Sequence, residues 1–153
     1  MRDATRPTRP DPLSTPTMYD PELVQPFRDE VTSLGVKELL TPAEVDKAAT
    51  LPGTTLIFVN SVCGCAAAGA RPALRLALMN QKRPVNLYTV FAGMEREATE
   101  KAREYFKPYR PSSPQIALLK DGKLVKLVQR QDIEGRDAHT IAKDLAAAFD
   151  AHC

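Results

Sequence analysis

Thr55-Leu56-Ile57-Phe58-Val59-Asn60 runs directly into Ser61-Val62-Cys63-Gly64-Cys65, and the rest of the chain is placed from this stretch. The first six residues are almost continuously apolar or β-branched, the composition of a strand buried on both faces. Behind them, Ala66 to about Asn80 has helical spacing, with Leu74, Ala77 and Leu78 on one side. The Arg71-Pro72 pair predicts a kink in that helix, and Arg71 and Arg75 read as solvated helix charges. Ahead of the strand, Leu51-Pro52-Gly53 is a break, and Thr41-Pro42-Ala43-Glu44 is a capping box for a helix to about Ala49. Val36–Leu40 is a short strand candidate. Asp20-Pro21 starts a first helix, with Leu23, Phe27, Val31 and Leu34 on its apolar side, a bend or interruption expected at Pro26, and an end at Gly35. Downstream lie a buried strand, Val85–Phe91, and an amphipathic helix, Glu95–Phe106. A proline-rich loop follows over 107–114. Gln115–Lys120 and Lys123–Gln129 form a hairpin about Asp121-Gly122, and the last helix is Asp137–Phe149.

After the first helix the order is β-α-β-α-β-α-β-β-α. This predicts an α/β domain, a central mixed sheet with helices on both faces and an antiparallel edge, which is the order of a thioredoxin-like fold. The 153 residues suit one domain, with 43% apolar and 26% charged residues. A domain of that size buries roughly two-thirds of its unfolded surface and needs no disulfide staple. A formal net charge of +2 gives no basic field, so nucleic acid is not expected as a partner. The chain opens without an apolar signal-like region, and its longest apolar run is far short of a membrane span. The expectation is a cytoplasmic protein with no membrane partner.

Residues 1–17 contain Pro7, Pro10, Pro12 and Pro16 among polar neighbours and read as a disordered tail, leaving 18–153 as the domain. Burying Leu13, the one sizeable apolar side chain there, would stabilise by at most about 1.5–3 kcal/mol. Ordering the segment costs roughly 1–2 kcal/mol per residue in backbone entropy. Deleting 1–17 should therefore leave the thermal midpoint, oligomer size and activity nearly unchanged; a marked loss in any of them would show that the arm is structured or functional.

In a reducing compartment, paired cysteines are more often catalytic or metal-binding than structural. Cys63 and Cys65 sit between a strand's C-terminal end, where ligands bind in open α/β sheets, and a helix N-terminus with free N–H groups and partial positive charge. That setting favours thiolate, the attacking species, and predicts a Cys63 midpoint below the free-thiol value. Gly64 would allow a tight turn and leave room for a substrate sulfur. One intervening residue makes a small, strained ring on oxidation, suited to mixed-disulfide exchange or isomerisation more than to strong reduction. A metal site is the competing chemistry. Zinc takes four ligands, and this spacing supplies two, with Cys153, His139 and His152 the remaining candidates. No bound metal or organic cofactor is expected.

Ser113-Pro114 opens the first hairpin strand. In a thioredoxin-like fold that proline is cis and faces the cysteines, so Ser113 and Pro114 are expected to dock substrate backbone. Cys153, the final residue, is either incidental or an auxiliary thiol.

The run Val59-Asn60-Ser61-Val62-Cys63-Gly64-Cys65-Ala66-Ala67 closely resembles the bacilliredoxin family. Tyr88–Gly93, Ala102–Phe106, Pro111–Pro114, Ala117–Gly122 and Ile133–Arg136 agree with it. The resemblance spans about Met18 to Cys153; the segment before it departs from the usual family start. It implies cytoplasmic redox proteins that remove bacillithiol, a low-molecular-weight thiol co-substrate, from S-thiolated client proteins, with some disulfide isomerase or reductase activity. It also implies that Cys63 is the nucleophile and that Cys65 helps resolve. A general protein disulfide isomerase or reductase remains an alternative, as does a non-enzymatic metal-binding or redox-sensing module.

Overall fold

A computed structural model describes residues 17–153, so most of the segment read as a tail lies outside the described residues. Strand β2 (Thr54–Asn60) is buried along its whole length. It is the middle strand of a five-stranded sheet ordered β1-β3-β2-β4-β5, where β1 is Lys37–Glu38, β3 Asn86–Phe91, β4 Gln115–Lys120 and β5 Lys123–Val128. β3 runs parallel to β1 and β2, and β4 runs antiparallel to β2 and β5. The sheet is mixed, with an antiparallel hairpin at one edge. Asp121 (φ 50°) and Gly122 (φ 83°) make the hairpin's tight turn, both left-handed as a two-residue turn between twisted strands requires.

The period of a strand sends alternate side chains of β2 to opposite faces. Leu56 and Phe58 meet helices α1 (Pro21–Thr32), α3 (Arg71–Ala77) and α6 (Ala138–His152). Ile57 and Val59 meet α2 (Pro42–Ala49) and α4 (Arg96–Glu104). A short helix, α5 (Arg130–Ile133), joins the hairpin to α6; its one buried residue is Ile133. Asp20, Thr41 and Asp137 each cap a helix by accepting a backbone N–H.

Several sequence expectations change. The first helix runs through Pro26 and buries Val24 and Val31, while Leu23 is exposed. Val24 stands four residues before Arg28 and three before Phe27, a helical spacing as good as Leu23's, and the sheet selects it. The strand expected over Val36–Leu40 has two residues, and Val85 lies exposed outside β3. The last helix continues to His152. The kink expected at Arg71-Pro72 takes the form of a widened π turn over Ala66–Ala70, with Arg71 N–H bonded to Ala66 O. Pro72 lacks an N–H and would crowd the carbonyl four residues earlier, and the wider turn precedes it.

Gly93 closes the loop after β3 with φ 90°, and a Cβ there would come 2.8 Å from Tyr19 Cε2. Gly93→Ala should cost about 1–3 kcal/mol, from a strained backbone and a displaced ring. Urea unfolding measures it: the midpoint should fall at constant slope, and an unchanged midpoint would mean that the loop relaxes freely.

Candidate active site

β2 ends at Asn60, and the chain turns into a helix within five residues. Asn60 organises the turn. Its Oδ1 accepts the Ser61 N–H (2.9 Å) and its Nδ2 donates to Phe27 O (3.0 Å). Ser61 Oγ then accepts the Cys63 N–H (3.0 Å). The Cys63 carbonyl accepts from Ala66 and Ala67, at 2.9 and 3.2 Å, and starts the helix. Cys63 therefore stands at the helix N-terminus, as the sequence predicts, with Cys65 in the first turn.

Both thiols are free and half-buried. Their sulfurs are 3.0 Å apart, and the Cys65 N–H reaches Cys63 Sγ at 3.3 Å. Burial pushes the Cys63 thiol up. The Cys65 thiol and N–H, the Arg130 charge and the Ala66 N–H outweigh that and hold it below the ordinary value. Cys65 moves the other way, raised first by its bond to Cys63, then by burial, the Cys63 charge and Glu134, with Arg130 opposing. The pair shares one readily lost proton, and the resulting charge rests on Cys63.

Arg130 and Glu134 are site residues that sequence reasoning missed. Both belong to α5 or its C-terminal end and form an ion pair (3.2 Å), and Glu134 Oε2 accepts from Cys65 Sγ at 3.7 Å. Arg71, expected in solvent, is 3% exposed. Its Nη1 donates to Asn60 Oδ1 (3.0 Å) and Ser61 O (2.8 Å), its Nε to Glu30 (2.7 Å), and its guanidinium stacks on Phe27. Arg71 thus holds the loop that presents Cys63. Arg75 is exposed, as expected.

The Ser113–Pro114 bond is cis, and the next residue, Gln115, pairs with Val59 of β2. Ser112 Oγ accepts the Arg130 N–H (3.4 Å), so this loop and the cysteine-facing helix α5 meet. Gly64 differs from expectation. It has no left-handed φ, and a Cβ there would meet nothing. Its turn needs no glycine, and its bare, exposed face is what remains of the expected role. Cys153 is exposed at the end of α6. That end packs beside the far end of α3, where Asp150 bonds Asn80. Among the described residues no three His, Cys, Asp or Glu side chains gather to hold a metal ion, and no helix is long and apolar enough to cross a membrane.

The thiolate on Cys63 can be read by alkylation rate against pH. A depressed midpoint means more thiolate at any given pH, so alkylation should persist below the ordinary thiol value of about 8.5. Arg130→Gln removes a favourable charge and should move the midpoint up. A wild-type midpoint at or above the free-thiol value would contradict this electrostatic picture.

A cysteine pair at the N-terminus of the helix after the central strand, in a mixed sheet of this order, defines a thioredoxin-fold thiol–disulfide oxidoreductase. The solved structures agree on the fold. A thioredoxin of Malassezia sympodialis matches with TM-score 0.53 and 16% identity, over 76% of this chain and 90% of that one. Oxidised mitochondrial thioredoxin 3 of Saccharomyces cerevisiae matches with TM-score 0.53 and 18% identity, over 80% and 98%. A family model described as disulphide isomerase matches residues 19–153. A bacilliredoxin of Cytophaga hutchinsonii is 51% identical over 133 residues, 87% of this chain and 98% of its own length. One of Geobacillus kaustophilus is 51% identical over 132 residues, 86% of this chain and 91% of its own. The chain belongs to the bacilliredoxin family.

Proposed function

We propose that this oxidoreductase removes bacillithiol from mixed disulfides on client proteins, with Cys63 as the nucleophile. The observation that carries the reading is the geometry of the pair: Cys63 Sγ accepts the Cys65 N–H at 3.3 Å and lies 3.0 Å from Cys65 Sγ, contacts that favour the anion on Cys63. Cys63 thiolate attacks the bacillithiol sulfur of the mixed disulfide. The client cysteine leaves as a thiolate and takes a proton, and bacillithiol is now disulfide-bonded to Cys63. Either of two steps then frees the enzyme. A second bacillithiol thiolate attacks the bound bacillithiol sulfur and departs as the symmetric disulfide. Alternatively Cys65 attacks Cys63 Sγ, expels bacillithiol and leaves a Cys63–Cys65 disulfide, which two equivalents of an external thiol reduce, leaving as their own disulfide. Ser113 and Pro114 would dock the client backbone beside Cys63, and Gly64 would leave its sulfur unobstructed. The chemistry calls for no bound cofactor, and the cytoplasm is the compartment it suits.

The description of the matching family model favours a second reading, a general disulfide isomerase. The two are separated by comparing release of bacillithiol from an S-bacillithiolated protein with reactivation of a scrambled multi-disulfide protein. Faster thiol release supports the first reading. Reactivation without thiol release would replace it with the second.

A further inference from the structure

Beside the cysteine loop lies a cavity of about 300 Å³. Ser61, whose hydroxyl holds the Cys63 N–H, lines it, and so does Ser113, next to the cis proline. The opposite wall is one face of α4, where Arg96, Glu100 and Arg103 follow each other at helical spacing. Arg103 donates only to neutral acceptors, Ser112 O at 2.7 Å and the Gln115 amide at 3.3 Å, and partial burial makes its charge harder to hold. Arg96 has no ion pair or hydrogen bond among the described residues and lines the same cavity. Two guanidiniums against the one carboxylate of Glu100 leave the lining with a net positive charge.

A guanidinium held half out of water with no carboxylate in salt-bridge contact, and only the Glu100 charge nearby, carries a desolvation cost that a bound anion would offset. We infer that this cavity is the subsite for the carboxylate-bearing end of a low-molecular-weight thiol while its sulfur is bonded to Cys63, with Arg96 and Arg103 as carboxylate-binding residues. The inference rests on the thiol-exchange reading above. It adds that the enzyme selects among small thiols by charge, preferring those with carboxylates to those with only an amine. Glu100 opposes the anion and sets how strong the preference is.

The test uses one carrier protein thiolated with either mercaptosuccinate or cysteamine, and the full chain as the enzyme. The measured quantity is the ratio of the second-order rate constants for thiol removal, mercaptosuccinate over cysteamine. Arg96→Gln should lower that ratio about fivefold, the upper end for an exposed ion pair. Arg103→Gln should lower it as well, and Glu100→Gln should raise it. High salt should compress the differences. Arg96 supports no neighbouring element, so its variant reads binding without disturbing the loop that Arg103 braces. A ratio unchanged in Arg96→Gln, whether both rates hold or both fall together, would overturn the subsite. Failure of wild type to remove either thiol would instead overturn the exchange reading on which it rests.

Discussion

Cys63→Ser should lower thiol removal from a mixed disulfide by on the order of a thousandfold or more, because a serine hydroxyl does not attack sulfur at neutral pH. Cys65→Ser should behave differently. The first attack still occurs, but one route of release is gone, so a mixed disulfide on Cys63 should accumulate until an external thiol is supplied. Cys65→Ala adds a second contrast. The Cys65 side chain is the leading contributor among those lowering the Cys63 midpoint. A serine there keeps a donor and an alanine does not, so the alanine variant should titrate higher and attack more slowly. Stopped-flow rates and intact mass distinguish the three variants. Equal activity of Cys63→Ser and wild type would remove Cys63 from the reaction.

Arg71→Leu should destabilise the fold by about 2–4 kcal/mol. Exchanging a buried ion for a hydrophobe is often close to neutral when both partners go. Here the partners stay. Ser61 O loses its guanidinium donor in a buried position, at a cost of about 1–3 kcal/mol, and the Asn60 contact and the stacking on Phe27 go with it. Two features limit the loss. Glu30 is 51% exposed at its side chain and can turn to water, and Arg71 Nη2 is already buried without a partner among the described residues. Because Ser61 also holds the Cys63 N–H, the variant should additionally shift the Cys63 alkylation midpoint, which a core residue remote from the loop would not do. Arg71→Lys, with one compact charge in place of a planar fork, should recover part of the stability. Unchanged urea midpoints in Arg71→Leu would mean that the loop is held by Asn60 alone.

Local rules carried most of the fold. Thr55–Asn60 had to be buried on both faces because nothing in it is charged, and Asp20 and Thr41 announced their helices through the oxygen each offers a free N–H. Asp121-Gly122 fixed the hairpin, and with it the antiparallel edge. The cysteine pair was legible for the same reason, since a strand running into a helix places its intervening residues at the helix N-terminus. What surrounds the pair was not legible. Arg71 on a helix looks like any solvated arginine until Glu30, Asn60 and Phe27 are brought to it from two other elements. Arg130 and Glu134 belong to a four-residue helix too short to show periodicity, and their distance in sequence from Cys65 gave no sign of contact. Leu23 and Val24 were equally good by helical spacing, and only the position of the sheet separates them. The cavity had a readable sign, Arg96 and Arg103 seven residues apart on one helix face. That sign became meaningful once Ser61 and Ser113 were found lining the same cavity.

The most direct measurement is intact-mass analysis of the Cys65→Ser protein after mixing with an S-bacillithiolated client in the absence of free thiol. The expected result is a single adduct of bacillithiol mass, mapped by peptide digestion to Cys63, formed as the client loses the same mass. An adduct on Cys153, a covalent complex with the client in its place, or no transfer would contradict Cys63 as the acceptor of the thiol.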